Sequence, residues 1–312
     1  MDEEIRLSGT NEELLQRIGQ AHDRGTITDG DLFDLLARCE ENGRQHIFFY
    51  RPKSIEVAEA CGNVDRIERA LLGGKTAAEA GLPITLLEPH GSVVAAFRHE
   101  KREGTRYWRW TFKVYSGIQR TKFVRNMELE GDEFAKVYRH YYAREIILVI
   151  YHSFGLLEIR RSIFTDMSLT ACREELERAW KLVGSAIKRE DFEPLVLANA
   201  LKNLAESAVA GSNLHEVHNA ELADEKEGRV MFNPKKHDEN LAASQSRCEA
   251  IRALQGDWIT AVVTWKRPSA RRDLPEKLRS EIACFLPHEI RIGSQTTPEA
   301  VEYVTRQLYD LS

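Results

Sequence analysis

The chain has 312 residues, 42% of them hydrophobic and 30% charged, with a formal net charge of −5. This composition excludes global disorder and is sufficient for one large domain or two ordinary ones; apolar runs as short as Ile146–Ile150 exclude a membrane-spanning helix. The small net charge hides a polarised distribution, because the first fifty residues hold five arginines against eleven carboxylates, whereas Arg98–Arg125 holds nine Lys and Arg against Glu100 and Glu103.

In chain order, Leu14, Leu15 and Ile18 fall at helical spacing within Asn11–Arg24, and Gly25 stops the helix. A second helix follows the N-cap Thr28, with Asp29 and Asp31 at its positive end, and an acidic hairpin results. His46–Arg51 reads as a strand, Ile55–Ala60 and Val64–Leu72 as helices, and a soft domain boundary is expected near residue 90. From Ser92 to Ser162 the pattern alternates through Val93–His99, Thr105–Tyr115, Gln119–Leu129, Val137–His152 and Gly155–Arg161, which predicts an antiparallel meander broken at Gly104, Gly117, Gly131 and Gly155. Thr170–Ile187 and Pro194–Ala208 are expected helices, His215–Leu222 and Arg229–Asn233 strands. Then Asn240–Leu254 is helical, Trp258–Arg267 and Glu289–Ser294 are strands, Leu278–Leu286 is ambiguous, and Thr297–Leu311 is a final helix. The fold class is therefore α+β: a helical unit over 1–90, then an antiparallel-sheet unit over 91–312 whose halves, 91–210 and 211–312, resemble a distant internal duplication.

The segment Thr105–Tyr115 is the most informative. Successive strand side chains point to opposite faces, so Trp108, Trp110, Phe112 and Val114 share one face and are expected core, while Tyr107, Arg109, Thr111, Lys113 and Tyr115 share the other. Cations between tyrosines supply phosphate partners and stacking rings, the mix a nucleic-acid surface uses. Lys122 and Arg125 are expected on the next strand, and Lys266, Arg267, Arg271 and Arg272 form a second basic stretch around Pro268 and Pro275.

Other motifs carry less chemistry. Gly73-Gly74-Lys75-Thr76 ends like a phosphate loop, but Arg69 stands where its first glycine belongs. His215 and His218 point to opposite faces if their segment is a strand, which separates them as metal ligands and leaves them as surface histidines. Asp224 and Lys226 are a fragment of a nuclease-like pattern without an upstream carboxylate. Five scattered cysteines without CxxC spacing predict buried thiols in a reducing compartment, the cytoplasm, or the nucleus in a eukaryote. No catalytic, metal or cofactor signature is complete.

Ile27-Thr28-Asp29-Gly30-Asp31-Leu32-Phe33-Asp34-Leu35-Leu36, with the later Trp108-Arg109-Trp110 and Phe112-Lys113-Val114-Tyr115, resembles the centromere protein N family. The resemblance implies a helical N-terminal domain before a basic antiparallel sheet, and a nucleosome-binding role through a basic N-terminal region. The first fifty residues here are acidic, so no binding residue is carried over. The residues predict a non-catalytic nucleic-acid-binding or adaptor protein, with DNA or RNA as partner. One alternative is a protein-interaction subunit docked through the acidic helices, and another is a metal-dependent nuclease.

Overall fold

The computed structural model describes residues 11–85, 91–128, 134–162, 169–224, 228–232, 239–253, 256–283, 286–294 and 296–312. It is an α+β fold in which a large antiparallel sheet carries helices on both faces.

Helices α1 (Asn11–Asp23) and α2 (Asp29–Glu41) form the acidic hairpin, turned by Gly25 at φ 69. The second helix starts in a capping box: the Asp31 amide donates to Thr28 Oγ1 at 3.2 Å, and the Thr28 amide donates to the Asp31 carboxylate at 2.9 Å. Strand β1 (Gln45–Pro52) is buried on both faces from Gln45 to Tyr50, which explains its unbroken apolar run. Helices α3 (Ile55–Gly62) and α4 (Val64–Leu71) are capped by Ser54 and Asn63. Gly73 and Gly74, at φ 64 and 90, end α4 through a Gly74 amide donating to the Arg69 carbonyl at 2.7 Å, so Gly73–Thr76 belongs to a helix C-terminal turn.

The first meander is β2 (Ser92–Lys101), β3 (Trp108–Glu128), β4 (Phe134–His152) and β5 (Leu156–Ser162). The two strands expected over Thr105–Leu129 are one. Gly117 does not break it, because its amide donates to the Gly91 carbonyl at 2.9 Å and β4 pairs continuously across it, Gly117 facing Arg144. After α5 (Leu169–Val183), the short β6 (Phe192–Pro194) pairs with β1, which delays α6 to Ala198–Val209. The second half holds β7 (His215–Asp224), β8 (Arg229–Phe232), α7 (Gln245–Ala253), β9 (Gly256–Lys266), β10 (Lys277–Ile282), β11 (Glu289–Ile292) and α8 (Pro298–Leu311). The ambiguous Leu278–Leu286 stretch is thus mostly strand.

The strand order is β2-β3-β4-β5-β1-β11-β10-β9-β7-β8. β1 lies between β5 and β11, hydrogen-bonded antiparallel to both, so the expected division near residue 90 does not divide the sheet. One face of the sheet, with Phe48, Trp110, Phe112 and Ile159, packs on α3, α4 and α5; the other, with Ile47, Leu156, Val263 and Ile290, packs on α6, α7 and α8. The helices that follow the two meanders, α5 and α8, therefore cover opposite faces of the sheet. The Thr297 hydroxyl caps α8 by accepting from the Ala300 amide at 3.2 Å. Thr297→Ala is expected to lower stability by about 1 kcal/mol in urea unfolding; an unchanged midpoint would show that the cap contributes nothing.

Candidate nucleic-acid interface

Alternation along β3 sorts its residues as expected. Trp110, Phe112 and Val114 are buried in the core with α3, α4 and α5, Trp108 packs against them half-buried, and the Trp110 indole donates to the Cys61 carbonyl at 3.0 Å. The opposite face is where the expectation fails. Lys113 and Tyr115 are buried, because the acidic hairpin lies across them. The Lys113 ammonium donates to Glu40 at 2.7 Å and lies 3.3 Å from Glu41, and the Tyr115 hydroxyl donates to the same Glu40 oxygen at 2.8 Å. Arg144 pairs with Glu40, and Arg98 with Glu41. Burial alone pushes Lys113 down, but the Glu40 and Glu41 carboxylates outweigh it and hold the ammonium above the usual lysine range.

The other members of this face also have internal partners. Arg109 pairs with Glu100 and lies 3.7 Å from Glu302 of α8. The Tyr107 hydroxyl meets His152 Nδ1 at 2.9 Å, His152 Nε2 meets Glu158 at 2.7 Å, and Arg160 donates to the second Glu158 oxygen at 2.5 Å, a buried chain crossing β4 and β5. A cleft of about 530 Å³ opens between α2, this face and the start of α8, lined among others by Arg98, Glu100, Arg109, Arg160 and Thr297. Its cations and carboxylates alternate, so it is not a polyanion track.

Because β3 is one strand, Lys122 and Arg125 lie further along it and not beside Arg109 and Lys113. They stand beyond the described pairing of the neighbouring strands: β2 pairs with β3 as far as Ser116 and β5 with β4 as far as Ile147, so among the described residues 117–128 and 134–144 pair with each other, through eleven cross-strand pairs. At about 3.3 Å per residue this two-stranded ribbon is about 35 Å long. Its residues 117–128 and 134–144 carry Arg120, Lys122, Arg125, Lys136, Arg139 and Arg144 against Glu128, and the sequence between them adds Glu130, Asp132 and Glu133. Register sets Lys122 opposite Arg139, Arg120 opposite Tyr141 and Thr121 opposite His140, and Val124 forms a bulge. Lys136, Tyr138, Arg139, His140, Tyr141 and Val124 are exposed. Arg144, at the base, reaches Glu40 of α2.

The second basic stretch is largely held by local carboxylates. Lys266 lies 2.6 Å from Glu216, Arg267 3.9 Å from Glu276, and Arg271 2.8 Å from Asp273; Arg272 is exposed. His215 and His218 are buried, not surface residues, and each has its own acceptor: the Leu204 carbonyl and the Thr264 hydroxyl, both at 2.8 Å. Cys61, Cys172 and Cys248 are buried as expected, Cys39 is exposed, and Cys284 and Lys226 lie outside the described residues. A convergence that no local spacing announced joins His46 of β1, Cys172 of α5 and Glu289 of β11. Neither a family model nor a curated protein matches this chain.

Proposed function

We propose that the protein binds nucleic acid through the β3–β4 ribbon, with Lys122, Arg125, Lys136 and Arg139 as phosphate contacts and Tyr138 and Tyr141 as stacking rings. The observation that supports this is a basic, tyrosine-bearing ribbon that extends beyond the described pairing of β2 and β5. A two-stranded ribbon fits the major groove of duplex DNA, and cations spaced along it follow a backbone whose charges recur regularly. The residues of the earlier expectation divide accordingly. Lys113 and Tyr115 hold the hairpin to the sheet, Arg109 pairs with Glu100 of β2 and Glu302 of α8, and Lys122 and Arg125 belong to the binding element.

Binding dominated by phosphate contacts weakens steeply with salt. In an anisotropy titration with duplex DNA and with RNA, Lys136→Ala/Arg139→Ala is expected to weaken binding and to reduce the slope of log K against log salt by about 2. Lys266→Ala, whose cation is already held by Glu216, leaves the slope unchanged. Absence of affinity for either polymer at low ionic strength, or a slope indifferent to the ribbon variant, would sink the proposal.

A protein partner on the acidic hairpin is a second reading, favoured by Leu15, Phe33 and Leu35, which are 68%, 56% and 50% exposed on α1 and α2. It predicts co-purification with a partner, free of nucleic-acid absorbance and lost in Phe33→Asp.

A further inference from the structure

We infer that His46, Cys172 and Glu289 form a zinc-binding site at the junction of the two halves of the sheet. His46 Nε2 lies 3.4 Å from Glu289 Oε2, Cys172 Sγ lies 3.9 Å from the same oxygen, and one donor atom from each residue falls within 4.8 Å of the other two. In a tetrahedral zinc site, nitrogen and oxygen ligands stand about 3.4 Å apart and sulfur and oxygen about 3.5 Å apart. A shift of a few tenths of an ångström brings the Cys172 sulfur to that distance from the Glu289 oxygen, and a side-chain adjustment within the 4.8 Å cluster brings it to His46. A nitrogen, a thiol sulfur and a carboxylate oxygen are the donor set that zinc takes; magnesium and calcium select oxygen alone.

The placement gives the ion a structural task. β1 pairs with β5 on one side and β11 on the other, and α5 follows β5. One ion therefore joins the central strand, the last strand of the second meander and the helix that follows the first. Three ligands leave a fourth tetrahedral position that a water would fill, and because all three are buried that position is shielded from substrate and suits a stabilising role.

Charge does not oppose it. Arg161 is held by Glu145 at 2.6 Å and by Glu175, and Arg291 by Glu281 at 3.1 Å, so the cations nearest the site are each matched by a carboxylate. Zinc would take His46 as the neutral imidazole and Cys172 as the thiolate, and the S–H proton leaves to solvent.

This inference is independent of the ribbon and is tested without nucleic acid. The full chain, purified and dialysed against metal-free buffer after loading with zinc, is expected to retain about one equivalent by elemental analysis, and a chelator lowers its melting temperature. Cys172→Ser and His46→Gln lose the metal, while Cys248→Ser, at a buried thiol elsewhere, keeps it. Should a ligand variant fail to fold, cobalt loading of the wild-type chain decides: a thiolate-to-cobalt charge-transfer band supports the site. A folded wild-type chain that retains no zinc, or full retention in both ligand variants, overturns it and leaves a buried hydrogen-bonded trio.

Discussion

Replacing Glu40 with alanine is expected to lower the unfolding free energy by about 3–5 kcal/mol, the range for removing one partner of a buried ion pair. Its side chain is 6% exposed and that of Lys113 4%, and Glu40 also receives the Tyr115 hydroxyl and pairs with Arg144. The variant leaves a lysine ammonium and a phenol buried with part of their bonding lost; Glu41, 3.3 Å from the ammonium, places the loss toward the lower end of the range. Lys113→Met in the same background removes the stranded charge, so the double variant is expected to be more stable than Glu40→Ala alone. Urea unfolding of the two singles and the double closes the cycle. A Glu40→Ala loss below about 1 kcal/mol would show that the ion cluster does not anchor the hairpin. The same substitution removes a carboxylate beside Lys113 and Arg144 and makes the local charge more positive, so affinity for a polyanion is expected to rise while ribbon variants lower it.

That cluster marks the limit of what the sequence discloses. Alternation alone placed Trp110, Phe112 and Val114 inside, because strand geometry ties a residue's face to its position and needs no partner. The caps at Thr28 and Thr297 and the stop at Gly25 were legible for the same reason: their chemistry is complete within a few residues. The fate of the opposite face of β3 was not, since Glu40 stands 73 residues from Lys113 in the chain. Acidic hairpin and basic strand looked like two separate surfaces, and they are each other's counter-charge. Gly117 misled because a glycine signals a break only when no neighbouring strand carries the ladder past it, and β4 does. The lost break hid the ribbon, whose projection depends on where β2 and β5 stop pairing. His46, Cys172 and Glu289 gave no local signal, because their convergence is a property of strand order.

Glu158→Gln is expected to cost about 3–5 kcal/mol at neutral pH, since it removes the charge that the buried Arg160 guanidinium faces. Burial by itself raises the Glu158 carboxyl; Arg160 and His152 outweigh it and hold it down to about 2, against 4.5 in the unfolded chain. A carboxyl held low in the folded state contributes stability that is fully present above pH 4.5 and is lost as the pH falls from there toward 2. The gap between those values corresponds to about 3 kcal/mol of acid-labile stability. Urea midpoints measured from pH 6 to pH 2 are therefore expected to fall more steeply below pH 4.5 in the wild-type chain than in Glu158→Gln, whose amide does not titrate, and the two curves converge toward pH 2. Parallel curves would mean that the Arg160–Glu158–His152 chain contributes no pH-dependent stability. Convergence would locate a substantial share of the acid sensitivity in β4 and β5, at the end of β4 remote from the ribbon.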